Sequence, residues 1–143
     1  MKIDPIKVYL ERLVKAYPNI KSIWLFGSRA NSSHRTDSDW DLLVFADQQI
    51  FDELKRNSHF RDDKIDLLVV FNDREFEKPW SDEKGAKHGS LKSWEWVEAS
   101  TDLATYKSVK YKDEKEWFKE NMLECRTLKA FRIWPLIDTR SNQ

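Results

Sequence analysis

Two aspartates one residue apart, Asp39 and Asp41, open the apolar run "WDLLVF", and a third, Asp66, holds the second position of its near-repeat "IDLLVV". Upstream, the apolar run "SIWLF" ends in Gly27 and Ser28. Carboxylates at the mouth of a buried strand are costly to desolvate unless a cation meets them. Three at one point repel each other, and a divalent cation is the usual remedy. Oxygen ligands with no Cys or His among them favour Mg²⁺ or Mn²⁺ over zinc. Magnesium takes few carboxylates and completes its shell with substrate phosphates, which makes a nucleotide the missing ligand. Gly27 would let the backbone approach a phosphate closely, while the Ser28 hydroxyl and the amides of "SRANSS" would donate hydrogen bonds to it. The chain holds only three glycines, so one at a strand exit is informative.

Whether these groups meet depends on the elements that carry them. Asp4-Pro5 reads as an N-cap with proline at the first helical position, and Ile6, Leu10, Leu13, Val14 and Tyr17 continue a helical spacing up to Pro18-Asn19. Residues 22–26, 40–45 and 64–71 read as strands, apolar enough to be covered on both faces. Asp47 can cap a helix through about Asn57, with Ile50, Phe51 and Leu54 turned inward. If that helix is a crossover, the strands beside it are parallel and Asp41 and Asp66 share one end of the sheet. Asp39 then points to the same side as Asp41 by strand alternation. An antiparallel first strand would bring Gly27-Ser28 to the same place, so that three carboxylates and the turn converge.

Beyond Phe71 the pattern weakens. Residues 72–90 read as a long exposed loop, and "LKSWEWVEAS" as a strand with Trp94 and Trp96 on one face or as the start of a helix. Asp113 to Trp134 reads as a helix on the spacing of Phe118, Met122, Cys125 and Leu128, stopped by Pro135. Several residues have plain structural readings. Asp37 is expected in a turn, His34, His59 and His88 at the surface, and Cys125 as inert packing. Trp94 and Trp96 could stack on a base, but aromatic stripes more often build core, and core is the expectation here.

"GSRA" followed by "DSDWDLLV", with ten residues between Ser28 and Asp39, resembles the signature of the DNA polymerase β-like nucleotidyltransferases, especially the minimal single-domain members. The likeness is specific over residues 23–44 and extends through Phe71; "NSSH" at 31–34 departs from it, where many relatives carry a basic residue and a glycine. The resemblance implies an α/β fold of α+β character, a mixed sheet flanked by helices. It also implies two-metal transfer of a nucleoside monophosphate from a nucleoside triphosphate to an acceptor hydroxyl. Carried over by position, Gly27 and Ser28 hold the triphosphate, Asp39 and Asp41 bridge both metals, and Asp66 completes the metal that activates the acceptor. Arg29 and Arg35 flank the site, and Arg29 is expected to contact the nucleotide. Relatives of this size often act with a separate helical partner protein. The alternative is a non-catalytic, antitoxin-like module of the same fold that binds a nucleotide or a partner.

The bulk composition fits this picture and narrows the substrate. With 143 residues the chain is expected to form one domain, its specific part at 20–71 and residues 91–135 packing on it as an extension. The 25 basic and 25 acidic residues cancel, so nothing steers the molecule globally towards phosphates, and extended nucleic acid is not expected as a substrate. A single cysteine excludes a disulfide framework and a thiolate metal site. The start is too charged for a signal peptide and no run approaches a membrane span, so a cytoplasmic protein is expected. The acceptor and the preferred base are not written in the sequence.

Overall fold

The computed structural model describes residues 3–80, 88–111 and 123–135. A 3-10 turn at Asp4–Ile6 leads into helix α1 (Lys7–Ala16), and strand β1 (Ser22–Phe26) runs into the four-residue helix α2 (Gly27–Ala30). Strand β2 (Trp40–Phe45), helix α3 (Gln48–Arg56) and strand β3 (Ile65–Phe71) follow. The remaining strands are β4 (Glu75–Glu77), β5 (His88–Ser90), β6 (Val97–Glu98), β7 (Leu103–Tyr111) and β8 (Leu123–Trp134). They form one eight-stranded sheet in the order β5-β4-β3-β2-β1-β8-β7-β6. Among the described residues only β2 and β3 run parallel, because α3 carries the chain back between them; the other pairings there are antiparallel. The fold is α+β with a mixed sheet.

Local chemistry explains the first half. The Asp47 side chain accepts a hydrogen bond from the Ile50 amide at 2.9 Å and so starts α3, a contact worth about 1 kcal/mol. Asp4 plays no such part: it lies inside the 3-10 turn, and Ile6 rather than Asp4 precedes α1, with no side-chain cap. Leu10 and Leu13 of α1 and Ile50, Phe51 and Leu54 of α3 pack on one face of the sheet against Leu25, Leu42, Val44, Leu67 and Val69.

The other face is covered differently. Among the described residues, Leu91, Trp94, Trp96 and Tyr106 pack there against Trp24, Phe26, Leu43, Leu68 and Val70. Helices therefore flank one face and an aromatic layer covers the second, so the central strands are covered on both faces, as their apolar runs suggest. Trp94 and Trp96 are half-buried and pack against this core, as their pattern suggests, but Trp94 lies in a run of turns and Trp96 just before the two-residue β6, not on a long element. Trp94 lies 4.7 Å from Phe76 and 5.4 Å from Tyr106, centroid to centroid.

Two expectations from the second half are overturned. The loop at 72–90 contains β4 and β5, which extend the sheet beyond β3. The helix expected over 113–134 is a strand from Leu123 to Trp134; Phe118 and Met122 lie outside the described residues. The cause is tertiary. Leu128 and Ala130 face the aromatic layer while Phe131 and Ile133 face the helices, a period of two that only pairing reveals. β8 is held along nine residues of β7 and again by β1. No helix among the described residues is long and apolar enough to cross a membrane.

Candidate functional site

Strand register decides which of the singled-out residues meet. Asp41 stands opposite Phe26, the last residue of β1, and opposite Asp66 of β3. Gly27 follows Phe26 directly, so the glycine turn and two aspartates lie side by side at one end of the sheet. Both aspartates are half-buried and sit on the aromatic face. Asp39 precedes β2 and lines, with Asp66, Arg61 and Lys78, a cavity of about 80 Å³. That volume is far below the roughly 300–1,000 Å³ of small-molecule sites and suits an ion with its waters.

Gly27 is required where it stands. Its φ is +74°, and a Cβ there would meet the Asp41 side chain, with Cγ at 2.9 Å. The glycine thus makes room for a carboxylate. Gly27→Ala is expected to lower stability by about 1–3 kcal/mol, from left-handed strain and the displaced aspartate. A urea unfolding midpoint measures this, and an unchanged midpoint would refute the crowding.

Its amide is also engaged. The Gly27 N–H donates to the Tyr106 hydroxyl at 2.8 Å. Burial pushes the Tyr106 hydroxyl pKa up, and the nearby Asp41 charge pushes it the same way, against the lowering effect of the Gly27 amide. The phenol is therefore neutral at physiological pH. Asn31 completes the turn: its Nδ2 donates to the Gly27 carbonyl at 2.8 Å and the Lys129 carbonyl at 3.0 Å, while its Oδ1 accepts from the Lys129 amide at 2.8 Å. Asn31 opens the "NSSH" departure, and here it ties the turn to β8. Ser28 is half-buried beside it, and no other described residue hydrogen-bonds its hydroxyl.

Arg29 is turned towards the protein. Its guanidinium lies 4.2 Å from the centroid of the Trp40 ring and donates to the carbonyls of Ser38 and Thr36 at 3.0–3.2 Å. It braces the 32–38 loop that leads to Asp39. Arg35 is exposed. Two large clefts among the described residues, about 750 and 660 Å³, open around Pro5, Arg29, His34 and Trp40, and none of the three aspartates lines either. Size does not mark the site; register and charge do.

The three carboxylates do not form a finished cage. Among the described residues, no three carboxylate, imidazole or thiol groups stand close enough to hold a metal ion between them. Asp41 leans over Gly27, and Asp66 faces Lys78, whose Nζ lies 3.2 Å from Asp66 Oδ1. That oxygen is buried, and the lysine, although within ion-pair range, does not make an aligned hydrogen bond to it. Lys78, Tyr106 and Asn31 are the neighbours that sequence reasoning missed. Tyr106 lies 79 residues from Gly27, Asn31 is close to Gly27 but ties it to Lys129 98 residues away, and none of the three carries a local motif.

Residues 9–65 match the family Polymerase beta, Nucleotidyltransferase. This stretch, from α1 to the start of β3, resembles a polymerase β-like nucleotidyltransferase, and the mixed sheet with its crossover helix is consistent with that fold. A protein adenylyltransferase, MntA, of Aphanizomenon flos-aquae (strain 2012/KM1/D3), is 34% identical over 59 residues, which is 41% of this chain and 36% of that relative. The chain thus matches about a third of the relative's length. Both likenesses support nucleotidyl transfer as the general activity.

Proposed function

We propose that the protein transfers a nucleoside monophosphate from a nucleoside triphosphate to an acceptor hydroxyl, using Asp39, Asp41 and Asp66 with Mg²⁺ or Mn²⁺. The observation that carries this reading is the register of Asp41 against both Asp66 and the end of β1, which sets two carboxylates beside the glycine turn. The donor chemistry, rather than a finished cage, suits a hard cation: the donors are all carboxylate oxygens, and one buried oxygen of Asp66 lacks a hydrogen bond. Asp39 and Asp41 would hold the metals in common, and Asp66 the one on the acceptor side. Bound there, the metal ions would supply Lewis-acid polarisation of phosphate and hydroxyl oxygens.

The protein's own groups do the rest. Ser28 donates to the triphosphate, and Gly27, held by Tyr106 and Asn31, keeps the turn in shape. Arg29 acts through the loop it braces. The acceptor oxygen attacks the α-phosphorus, the bond to the β-phosphate breaks, pyrophosphate leaves, and Asp66 takes the acceptor's proton. The name of the adenylyltransferase relative suggests ATP as donor and a protein as acceptor. The family resemblance alone suggests a separate helical partner protein and an intracellular setting. Residues 91–135 act in this reading as an extension of one nucleotidyltransferase domain.

Metal-dependent pyrophosphate release from each of the four nucleoside triphosphates, with candidate acceptors present, tests the proposal; no release with any of them removes it. Ser28→Ala is expected to weaken nucleotide binding about fivefold, the worth of one hydrogen bond of roughly 1 kcal/mol, with the fold unchanged. Calorimetric titration reads this, and unchanged affinity removes Ser28 from the phosphate site. The second reading, a non-catalytic binding module, is favoured by one observation: Lys78 already pairs with Asp66.

A further inference from the structure

Lys78 is not a surface lysine that happens to lie near an acid. Its side chain is 12% exposed and that of Asp66 19%, whereas the Lys21–Asp73 pair is 59% and 79% exposed. The backbone on both sides of Lys78 is fixed. Before it, Glu77 pairs with Val69 of β3. After it, Trp80 is buried and its Nε1 donates to the Leu54 carbonyl at 2.7 Å, anchoring the segment to the end of α3. Two clamps thus aim the ammonium at Asp66, inside the cavity that Asp39 also lines.

We infer that Lys78 is an internal cation that competes with the divalent metal for Asp66, so that Lys78 must swing away before the acceptor-side metal can bind. The inference rests on the metal-dependent reading of the site, and it goes beyond it by assigning the metal a protein competitor. An ammonium at 3.2 Å supplies one positive charge to Asp66, and a dication entering beside it would meet that charge at short range in a poorly solvated cavity. The pair and the metal therefore exclude each other. Lysine suits the part, because its flexible four-carbon stem lets the head group leave along the surface. Lys78 is a positioning residue in this account: in the resting protein it keeps Asp66 paired and oriented.

Mn²⁺ binding, followed by electron paramagnetic resonance without nucleotide or acceptor, tests this independently of turnover. Lys78→Met is expected to bind Mn²⁺ about tenfold tighter than the native protein, and Lys78→Met/Asp66→Asn to lose that gain. In the native protein, saturating Mn²⁺ is expected to raise labelling of Lys78 by an amine-reactive reagent, read by peptide mass spectrometry. This arm needs no variant, and it stands if Lys78→Met fails to fold. Unchanged Mn²⁺ affinity in a folded Lys78→Met, or Lys78 labelling indifferent to Mn²⁺, overturns the inference. Tighter Mn²⁺ binding in a protein that never releases pyrophosphate would keep the competition and remove the transferase reading. Ordinary transfer with neither Mn²⁺ effect would do the reverse.

Discussion

Asp41→Ala is expected to lose nucleotidyl transfer by about a thousandfold or more, roughly 4 kcal/mol of transition-state stabilisation, while the sheet stays folded. The position is half-buried between Phe26 and Asp66, and alanine fits the strand without disturbing either pairing. Removing one of two neighbouring carboxylates also relieves repulsion, so stability should hold or rise slightly. An independent readout checks that the variant acts where it should. Asp41 is one of the influences that raise the Tyr106 pKa, behind burial, so ultraviolet titration should show that phenol ionising at lower pH in Asp41→Ala. Asp39→Ala should match the loss of rate. Undiminished activity in either variant removes the metal-site assignment.

Asp66→Asn separates binding from chemistry. The amide keeps size and shape but not charge, so the nucleotide should still bind through Asp39, Asp41 and the Gly27 turn. Turnover should fall by about two to three orders of magnitude, because activating the acceptor hydroxyl is chiefly a transition-state effect. An aspartate at a strand entrance would ordinarily pair at the surface with a nearby basic residue such as Lys64 or Arg61. The structure replaces that pair with Lys78, in a far less exposed setting. The variant should accordingly lose about 1–3 kcal/mol of stability as the ammonium loses the opposite charge it faces on Asp66. Nucleotide affinity, transfer rate and the unfolding midpoint, measured on one preparation, decide the matter. Normal affinity with normal rate takes Asp66 out of the chemistry and leaves it a structural ion pair.

What was legible in the sequence was whatever rested on short-range pattern. Strands 22–26 and 40–45 have the expected limits, and the strand expected from Lys64 begins one residue later, because continuous apolar runs bounded by charge and glycine leave little choice. The parallel crossover followed from the length of the 48–56 helix, and with it the meeting of Asp41 and Asp66. The second half was not legible, because its elements exist through partners. "LKAFRIW" has a helical spacing on one side and a strand alternation on the other, and β1 and β7 choose between them. The same distance hid the site's support. Tyr106 reaches Gly27 across 79 residues and Asn31 reaches Lys129 across 98. Lys78 is only twelve residues from Asp66, yet nothing local distinguishes it from the other lysines of a charged stretch.

β8 lies between β1 and β7, so the latest of the described strands in sequence occupies an interior position in the sheet. While the chain is being made, β1, β2 and β3 can pair early, but the outer side of β1 stays open until residues 123–134 emerge. Closing that seam joins Ile23 to Trp134, a loop of more than a hundred residues. Folding should therefore be slow for a chain of this size, since such closure costs entropy before it returns contacts. In the interval, Ile23, Trp24 and Leu25 form an apolar edge able to accept a strand from another nascent chain. The glycine turn shares this late assembly, because Tyr106 and Lys129 reach it only with the last strands, so the chain cannot complete the proposed nucleotide site before β8 has docked.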